Sequence, residues 1–507
     1  MDPCHDLYDF VCGNYWGHPD GPYTQAEKDM RNTSISALHA ETVPARMQSA
    51  WQKAAGLFQA CYGFVTTYRN ELEELKSLMV SLKLDLLNLR ASRTVDPADM
   101  VVRLALDIGA PAVFDLKIYE DTFIDEKRLI QFKISDSQAA WHAKRAELKH
   151  RSSNKIEEYI HDRLLLYHGF EPDRDKSLVD TIYRFDETLT STLTRHVKSH
   201  TEFTIRAIQN MGERMAPLVT PGQWTNLLAK YTNDVYNGGD MIQFQTQLLE
   251  GLMELLQVSY WGREGFRTML AWGLFDAQVD YAMPQQLVGR KDKKVACYDL
   301  VLQVMEISVT SRYLRSKVYA DTLSKAKDMF SKVQDAFEAT LRGSSWLKGN
   351  GLDLVLRRLQ MMKVLVGGPG PRLDESFVNN HYAAFPDMAP NGRFLDSWFQ
   401  ALSARANQKW ADQTHVFFNT SMASPAYIKG SNAVVIPVGA LLPILFYGDG
   451  NTALNYGTLG DALGQQIMNA FDIEAGARYC LSLEANERYS NRKLCVRQSH
   501  EQAGYPG

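Results

Sequence analysis

The chain has 507 residues, of which 45% are hydrophobic, 22% charged and 11% aromatic. This composition excludes a disordered chain, and the length predicts more than one hydrophobic core. The 55 basic and 59 acidic residues give a net charge of -4, so the balance does not favour a nucleic-acid partner. The most apolar run, Ala433 to Phe446, is too short for a membrane span and contains two prolines, and no signal-peptide pattern is visible.

Helical periodicity dominates the first two thirds of the chain. An amphipathic run extends from Trp51 to Leu89, and further runs follow at about 137–167, 176–200, 237–257 and 297–340. Glycine and proline breaks separate these runs. The pattern predicts a long helical block from about Ala50 to about Leu341.

The sequence changes its character after Gly349. A glycine- and proline-rich loop occupies residues 367–371, and residues 415–421 and 432–438 are short and rich in β-branched or aromatic side chains, which predicts strands. A helical pattern returns from Ala453 to Phe471. The fold is therefore expected to be mainly α with a small β part.

Few residues in this sequence form a pattern that predicts chemistry. There is no Gly-rich nucleotide loop, no G-x-S-x-G and no H-E-x-x-H. His196 and His200 have the spacing of a zinc pair on a helix, but no glutamate follows the first histidine and the flanking residues are cationic, which favours a solvated helix face. The six cysteines fit no zinc pattern, so thiols and disulfides both stay open. N-x-S/T sequons at Asn32 and Asn419 favour a secreted, glycosylated protein.

The segment from Asn455 to Asp472 resembles the zinc helix of the neprilysin and endothelin-converting-enzyme family of metalloendopeptidases. In that family Asn-Tyr-Gly-Gly-Ile-Gly leads into Gly-His-Glu-x-x-His-x-Phe-Asp. The matching positions are Asn455, Tyr456, Gly457, Gly460, Gly464, Phe471 and Asp472. Residues 3–16 resemble the family's N-terminal signature, and residues 432–439 resemble the strand before its zinc helix.

The residues that would perform the chemistry differ from the family pattern. Gln465 and Asn469 stand where the resemblance places the two zinc histidines, and Gln466 stands where it places the general-base glutamate. Neutral amides are poor zinc donors and cannot accept a proton from water near neutral pH. No zinc or other cofactor is therefore expected, and the chain is expected to be inactive as a metalloendopeptidase.

Further consequences follow from the same resemblance. The family's Asn-Ala-Tyr edge, which pairs with the substrate backbone, aligns with Ser424, Pro425 and Ala426, where proline removes a backbone donor. The family's third zinc ligand and its late catalytic histidine have no counterpart in this sequence. Cys61 and Cys297 match a family disulfide that joins two helices.

The resemblance implies a two-lobed neprilysin-like fold with an incomplete thermolysin-like catalytic lobe. Residues 1–50 and 349–507 would form the catalytic-like lobe, and residues 51–348 the helical lobe. The expected role is that of an extracellular or cell-surface pseudopeptidase that binds peptides in a central cavity, without a membrane span in this chain. The alternative is a truncated or incomplete copy of an active membrane metallopeptidase with no function of its own, and activity through other residues is disfavoured.

Overall fold

A computed structural model of the chain describes residues 21–471, except 89–94, 153, 169–171, 197–202, 215–219, 259, 346, 369, 416–417, 419–420 and 444. The described part is mainly helical and contains two small sheets. This confirms the predicted fold class. None of the helices among these residues is both long and apolar enough to cross a membrane.

The helices and strands are numbered separately along the chain. The helices are α1 Pro22–Ala40, α2 Ala50–Thr67, α3 Leu72–Ser81, α4 Pro97–Arg103, α5 Asp136–Arg151, α6 Lys155–His168, α7 Pro172–His196, α8 Ile208–Arg214, α9 Pro221–Tyr231, α10 Thr246–Gln257, α11 Gly262–Gln278, α12 Pro284–Val288, α13 Lys293–Lys317, α14 Ala320–Gly343, α15 Asn350–Gln360, α16 Glu375–His381, α17 Phe394–Ala411, α18 Thr452–Asn455 and α19 Asp461–Asn469. The strands are β1 Phe114–Ile124, β2 Lys127–Ile134, β3 Phe203–Ala207, β4 Met241–Gln245, β5 Lys363–Val366, β6 Ala426–Ile428 and β7 Ala433–Ile436. Short 3₁₀ turns and two π-turns, Leu104–Ile108 and Tyr456–Gly460, complete the set.

The chain forms two compact units. Unit 1 comprises the described residues of Met1–Ser36, Glu306–Val378 and His415–Gly507, and unit 2 those of Ala37–Met305 and Asn379–Thr414. One division falls inside α13 at Met305, whose φ of -131° and ψ of 34° interrupt the helical geometry. These divisions differ from the boundaries at 50 and 348 that the sequence suggested, and those lobe boundaries stay a prediction.

Unit 2 is stabilised by caps and by one covalent link. A capping box begins α2, where Ser49 and Gln52 satisfy each other's backbone N–H groups. The disulfide Cys61–Cys297 joins α2 to α13 with a Cα–Cα distance of 5.6 Å, which is the pairing that the resemblance implied. Because the buried carboxylate of Glu71 accepts the N–H groups of Phe394 and Leu395, at 3.1 and 2.6 Å, the start of α17 is held in place.

Unit 2 also contains a four-stranded sheet of order β1-β2-β4-β3. The β1–β2 and β3–β4 pairs are antiparallel, whereas β2 and β4 are parallel and pair Ile130 with Ile242. The prediction of an uninterrupted helical block is therefore wrong here, and β4 occupies part of the helix expected at 237–257. The physical reason is visible in β1, where buried Phe114 and Leu116 alternate with less buried neighbours in the two-residue period of a strand.

Unit 1 is built around a three-stranded sheet of order β5-β7-β6. Strand β7 is buried along its whole length, pairs in parallel with β5 and is antiparallel to β6. It confirms the strand predicted at 432–438. The strand predicted at 415–421 is wrong for the residues described there, His415, Phe418 and Ser421, none of which is in a strand. Local composition suggested this strand, but the partner of β7 is formed by Ala426–Ile428.

Candidate functional site

The helix that corresponds to the family's zinc helix is α19 in unit 1. It follows the π-turn Tyr456–Gly460, and the preceding Asn455 is buried with its amide bonded to both the N–H and the C=O of Tyr447, at 2.9 and 2.8 Å. Leu463 and Ile467 are fully buried in the core of the unit. Because these residues face inward, the helix presents its polar positions on its other sides.

The three amide residues of α19 are bonded within unit 1. The Gln466 Oε1 atom accepts the backbone N–H of Tyr427 at 3.0 Å and the side-chain amide of Asn469 at 3.1 Å. The exposed Gln465 donates its amide N–H to Asp461 at 2.9 Å. The structure thus brings two of the three predicted positions together and ties them to β6, while Gln465 bonds one turn back along its own helix.

Strand β6 presents little hydrogen-bonding capacity on its outer side. In the antiparallel register Ala426 faces Val435 and Ile428 faces Ala433, so the N–H of the intervening Tyr427 points away from β7. The preceding outward position is the buried Pro425, which has no N–H. Among these strand residues the Tyr427 N–H is therefore the outward backbone donor, and Gln466 accepts it.

An arginine that sequence reasoning missed holds β6 and the end of α19 together. Arg358 on α15 donates to the hydroxyl of Tyr427 at 2.9 Å and to the carbonyl oxygen of Ala470 at 3.1 Å. The Tyr427 hydroxyl donates to Asn432, whose amide in turn donates to the carbonyl oxygen of Arg358, at 3.0 and 2.8 Å. Nothing in the local sequence around Arg358 marks this role, because its partners lie about 70 to 110 positions away.

The donor set at α19 does not fit zinc. Zinc prefers thiolate, imidazole or carboxylate ligands, whereas positions 465, 466 and 469 offer amides, and Gln466 Oε1 already accepts two hydrogen bonds. Across the described ranges, no group of three or more His, Cys, Asp or Glu side chains could hold a metal ion. Near the helix, burial and the Asp461 carboxylate raise the pKa of Tyr23 above its usual range, so this phenol is a poor base.

Other predicted positions are distributed as follows. Asn32 is exposed on α1, whereas Ser34 of the same sequon is buried. The His196 Nε2 atom lies 2.7 Å from a Glu254 carboxylate oxygen. Asn419, His200, Asp472 and the cysteines at 4, 12, 480 and 495 lie outside the described residues.

Comparisons with known proteins agree with this arrangement. The model of Peptidase family M13 matches residues 3–369. Neprilysin-1 of Trittame loki is 22% identical over 94% of this chain and 71% of its own length, and membrane metallo-endopeptidase-like 1 of Mus musculus is 19% identical over 93% and 67%. The open-state cryo-EM structure of the Mycobacterium tuberculosis zinc metalloprotease Zmp1 superposes with a TM-score of 0.71 at 16% identity, covering 99% of this chain and 80% of that one.

Other curated neprilysins align over shorter regions, such as 28% of the length of Drosophila melanogaster neprilysin-3. The fold is that of the M13 metalloproteases, two-lobed and neprilysin-like in class. With the family model covering well over half of its residues, the chain belongs to Peptidase family M13.

Proposed function

We propose that this M13 chain does not hydrolyse peptides and acts instead by binding them, as a zinc-free pseudopeptidase. The observation that carries the proposal is the bonding of Gln466. The side chain at the general-base position has no titratable group, and its oxygen is held 3.0 Å from the Tyr427 nitrogen. A general base must be able to take a proton from the attacking water, and a neutral amide cannot do so at neutral pH.

The same contacts limit how a peptide could bind. A peptide that added to β6 as a further strand would need the outward N–H of Tyr427, which already donates to Gln466. Pro425 supplies no second donor. Backbone pairing at this strand therefore requires the Gln466 amide to move away first, so peptide recognition depends on side-chain contacts more than on the strand edge.

A secreted or cell-surface location belongs to the same proposal. Disulfides persist in oxidising compartments, and Cys61–Cys297 links positions 236 apart in the sequence. Asn32 is exposed on α1 and available to a glycan. Peptide mapping of the protein secreted by eukaryotic cells, with and without glycosidase treatment, tests both features.

The test of the proposal combines metal content with turnover. Purified protein is dialysed against zinc, washed and measured by elemental analysis, and cleavage of a quenched fluorescent peptide library is followed with and without 1,10-phenanthroline. We expect substoichiometric zinc and no chelator-sensitive cleavage. A Gln465→His, Gln466→Glu, Asn469→His variant provides the matched control, because it restores two imidazoles and a carboxylate and should retain more zinc. Stoichiometric zinc in the unmodified chain together with chelator-sensitive cleavage would refute the proposal.

A further inference from the structure

Unit 2 contains a cavity that neither the vestigial zinc helix nor the family resemblance explains. Its volume is about 580 Å³, within the range of pockets that bind small molecules. The walls come from the π-turn Leu104–Ile108, β1, α5, α6, the end of α11 and α17. All of the lining residues lie within unit 2.

Two stacked aromatic pairs form much of the wall. Trp141 and Tyr159 have ring centroids 5.2 Å apart with planes inclined by 29°, and Tyr281 and Trp398 have centroids 5.3 Å apart with planes inclined by 23°. All four residues line the cavity. Such walls offer flat apolar area to a ring or an aliphatic body.

Two buried polar atoms of the lining residues have no hydrogen-bond partner in the described part of the chain. One is the indole N–H of Trp398, a donor on a side chain that is 1% exposed, and the other is the amide oxygen of Gln278, an acceptor on a side chain that is 8% exposed. Their side chains are neighbours, since Tyr281, three positions after Gln278, stacks on Trp398. Buried polar groups in folded proteins are nearly always paired, so a donor and an acceptor left together in one cavity indicate a missing partner.

The charges around the cavity are balanced. Five basic and four acidic side chains line it, and several are already paired. Arg163 donates to Asp280 at 2.7 Å and lies 3.3 Å from Asp276, while Arg405 donates to Glu120 at 2.6 Å. A strongly charged ligand would have to compete with these ion pairs, so a neutral one fits better.

We propose that this cavity binds a neutral small molecule that carries an amide group beside an aromatic or apolar body. The carbonyl oxygen of the ligand would accept the Trp398 N–H, its own N–H would donate to the Gln278 oxygen, and its body would lie against the stacked rings. The inference does not depend on the loss of hydrolysis at α19, because the cavity lies in the other unit and would serve an active M13 chain equally well.

The test uses benzamide, methyl benzoate and benzoate as probes, with binding to the full chain followed by saturation-transfer NMR and calorimetry. Methyl benzoate keeps the ring and the carbonyl oxygen but lacks an N–H, and benzoate is an anion. Because one neutral hydrogen bond changes affinity by about 3- to 10-fold, benzamide is expected to bind that much more tightly than methyl benzoate. Benzoate should bind least.

Variants locate the site. Gln278→Met removes the acceptor with little change of shape and should abolish the preference for benzamide over methyl benzoate. Trp398→Phe keeps a stacked ring but removes the donor, so it should weaken both neutral probes. Trp224→Phe is the matched control, because the Trp224 N–H also has no partner among the described residues but Trp224 is not part of this cavity.

The results separate a ligand site from a solvent-filled cavity. Amide preference in the unmodified chain that is lost in Gln278→Met and kept in Trp224→Phe supports the proposal. Equal affinity for benzamide and methyl benzoate, no binding at millimolar concentration, or an equal loss in Trp224→Phe would overturn it and assign the cavity to water alone. If Trp398→Phe does not fold, the Gln278→Met comparison still decides the question.

Discussion

The contact between Gln466 and Tyr427 predicts a local change that can be measured at one backbone amide. Replacing Gln466 with alanine removes the oxygen that accepts the Tyr427 N–H at 3.0 Å and the Asn469 amide at 3.1 Å. Both donors then face outward with no protein acceptor supplied by that side chain. The rest of β6 keeps its register with β7, because those hydrogen bonds belong to Ala426 and Ile428.

The magnitude follows from the single backbone hydrogen bond that is lost. A neutral hydrogen bond contributes about 1 kcal/mol net, so the free energy of local opening at Tyr427 should fall by about that amount. Since 1.4 kcal/mol is a factor of ten, the Tyr427 amide should exchange about 5-fold faster with solvent deuterium. Overall stability should change little, because the Gln466 side chain is only partly buried.

Hydrogen–deuterium exchange followed by mass spectrometry, with overlapping peptides across residues 424–431, measures this change. The matched control is Gln465→Ala on the same helix, which loses only a bond to the exposed Asp461. Unchanged exchange at Tyr427 in Gln466→Ala, or an equal increase in Gln465→Ala, would refute the reasoning that Gln466 closes the outer side of β6.

Two further predictions concern the stability of unit 2. Replacing both Cys61 and Cys297 with alanine should lower the free energy of unfolding by about 2–5 kcal/mol, seen as a lower thermal midpoint than that of the oxidised chain, and a midpoint equal to the oxidised one would contradict a structural role for the disulfide. Burial raises the pKa of Asp115 from 3.8 to about 6, so the folded chain binds more protons than the unfolded chain in that interval and Asp115 makes stability fall as pH rises through it. Asp115→Asn should remove this loss, which is at most about 3 kcal/mol at neutral pH, and urea unfolding between pH 4 and 7 would argue against it if the slopes of the two proteins were the same.

The sequence predicts the helical part of the fold well because helix periodicity is local. The runs that became α2, α6, α13 and α14 each carry an apolar stripe that only their own residues define. The sheet of unit 2 was missed, although β1 shows the alternation of a strand, because a single alternating run cannot reveal its partner. Strand β2 pairs with β4 from far along the chain, and that pairing exists only in the folded protein.

The candidate site shows the same limit. The resemblance predicts that positions 465, 466 and 469 carry amides in place of ligands and a base, and it implies the Cys61–Cys297 pair that the structure contains. It does not predict that Gln466 accepts the Tyr427 N–H or that Arg358 fastens Tyr427 to the end of α19, because those contacts depend on the three-dimensional approach of separate elements. The cavity of unit 2 was invisible for the same reason, since its walls come from residues 105 to 409.

The parallel pairing of β2 with β4 has a consequence for how the chain acquires its structure. Gln131 on β2 bonds Gln243 on β4 across 112 positions, so five helices and β3 must be made before that side of β2 is covered. The β1–β2 hairpin can form early and locally, but the apolar Leu129 to Phe132 segment then waits with one flank unpaired. During synthesis this flank is the place where a chaperone would be needed most, and slow release from the ribosome at residues 135–240 should favour association between nascent chains over correct folding.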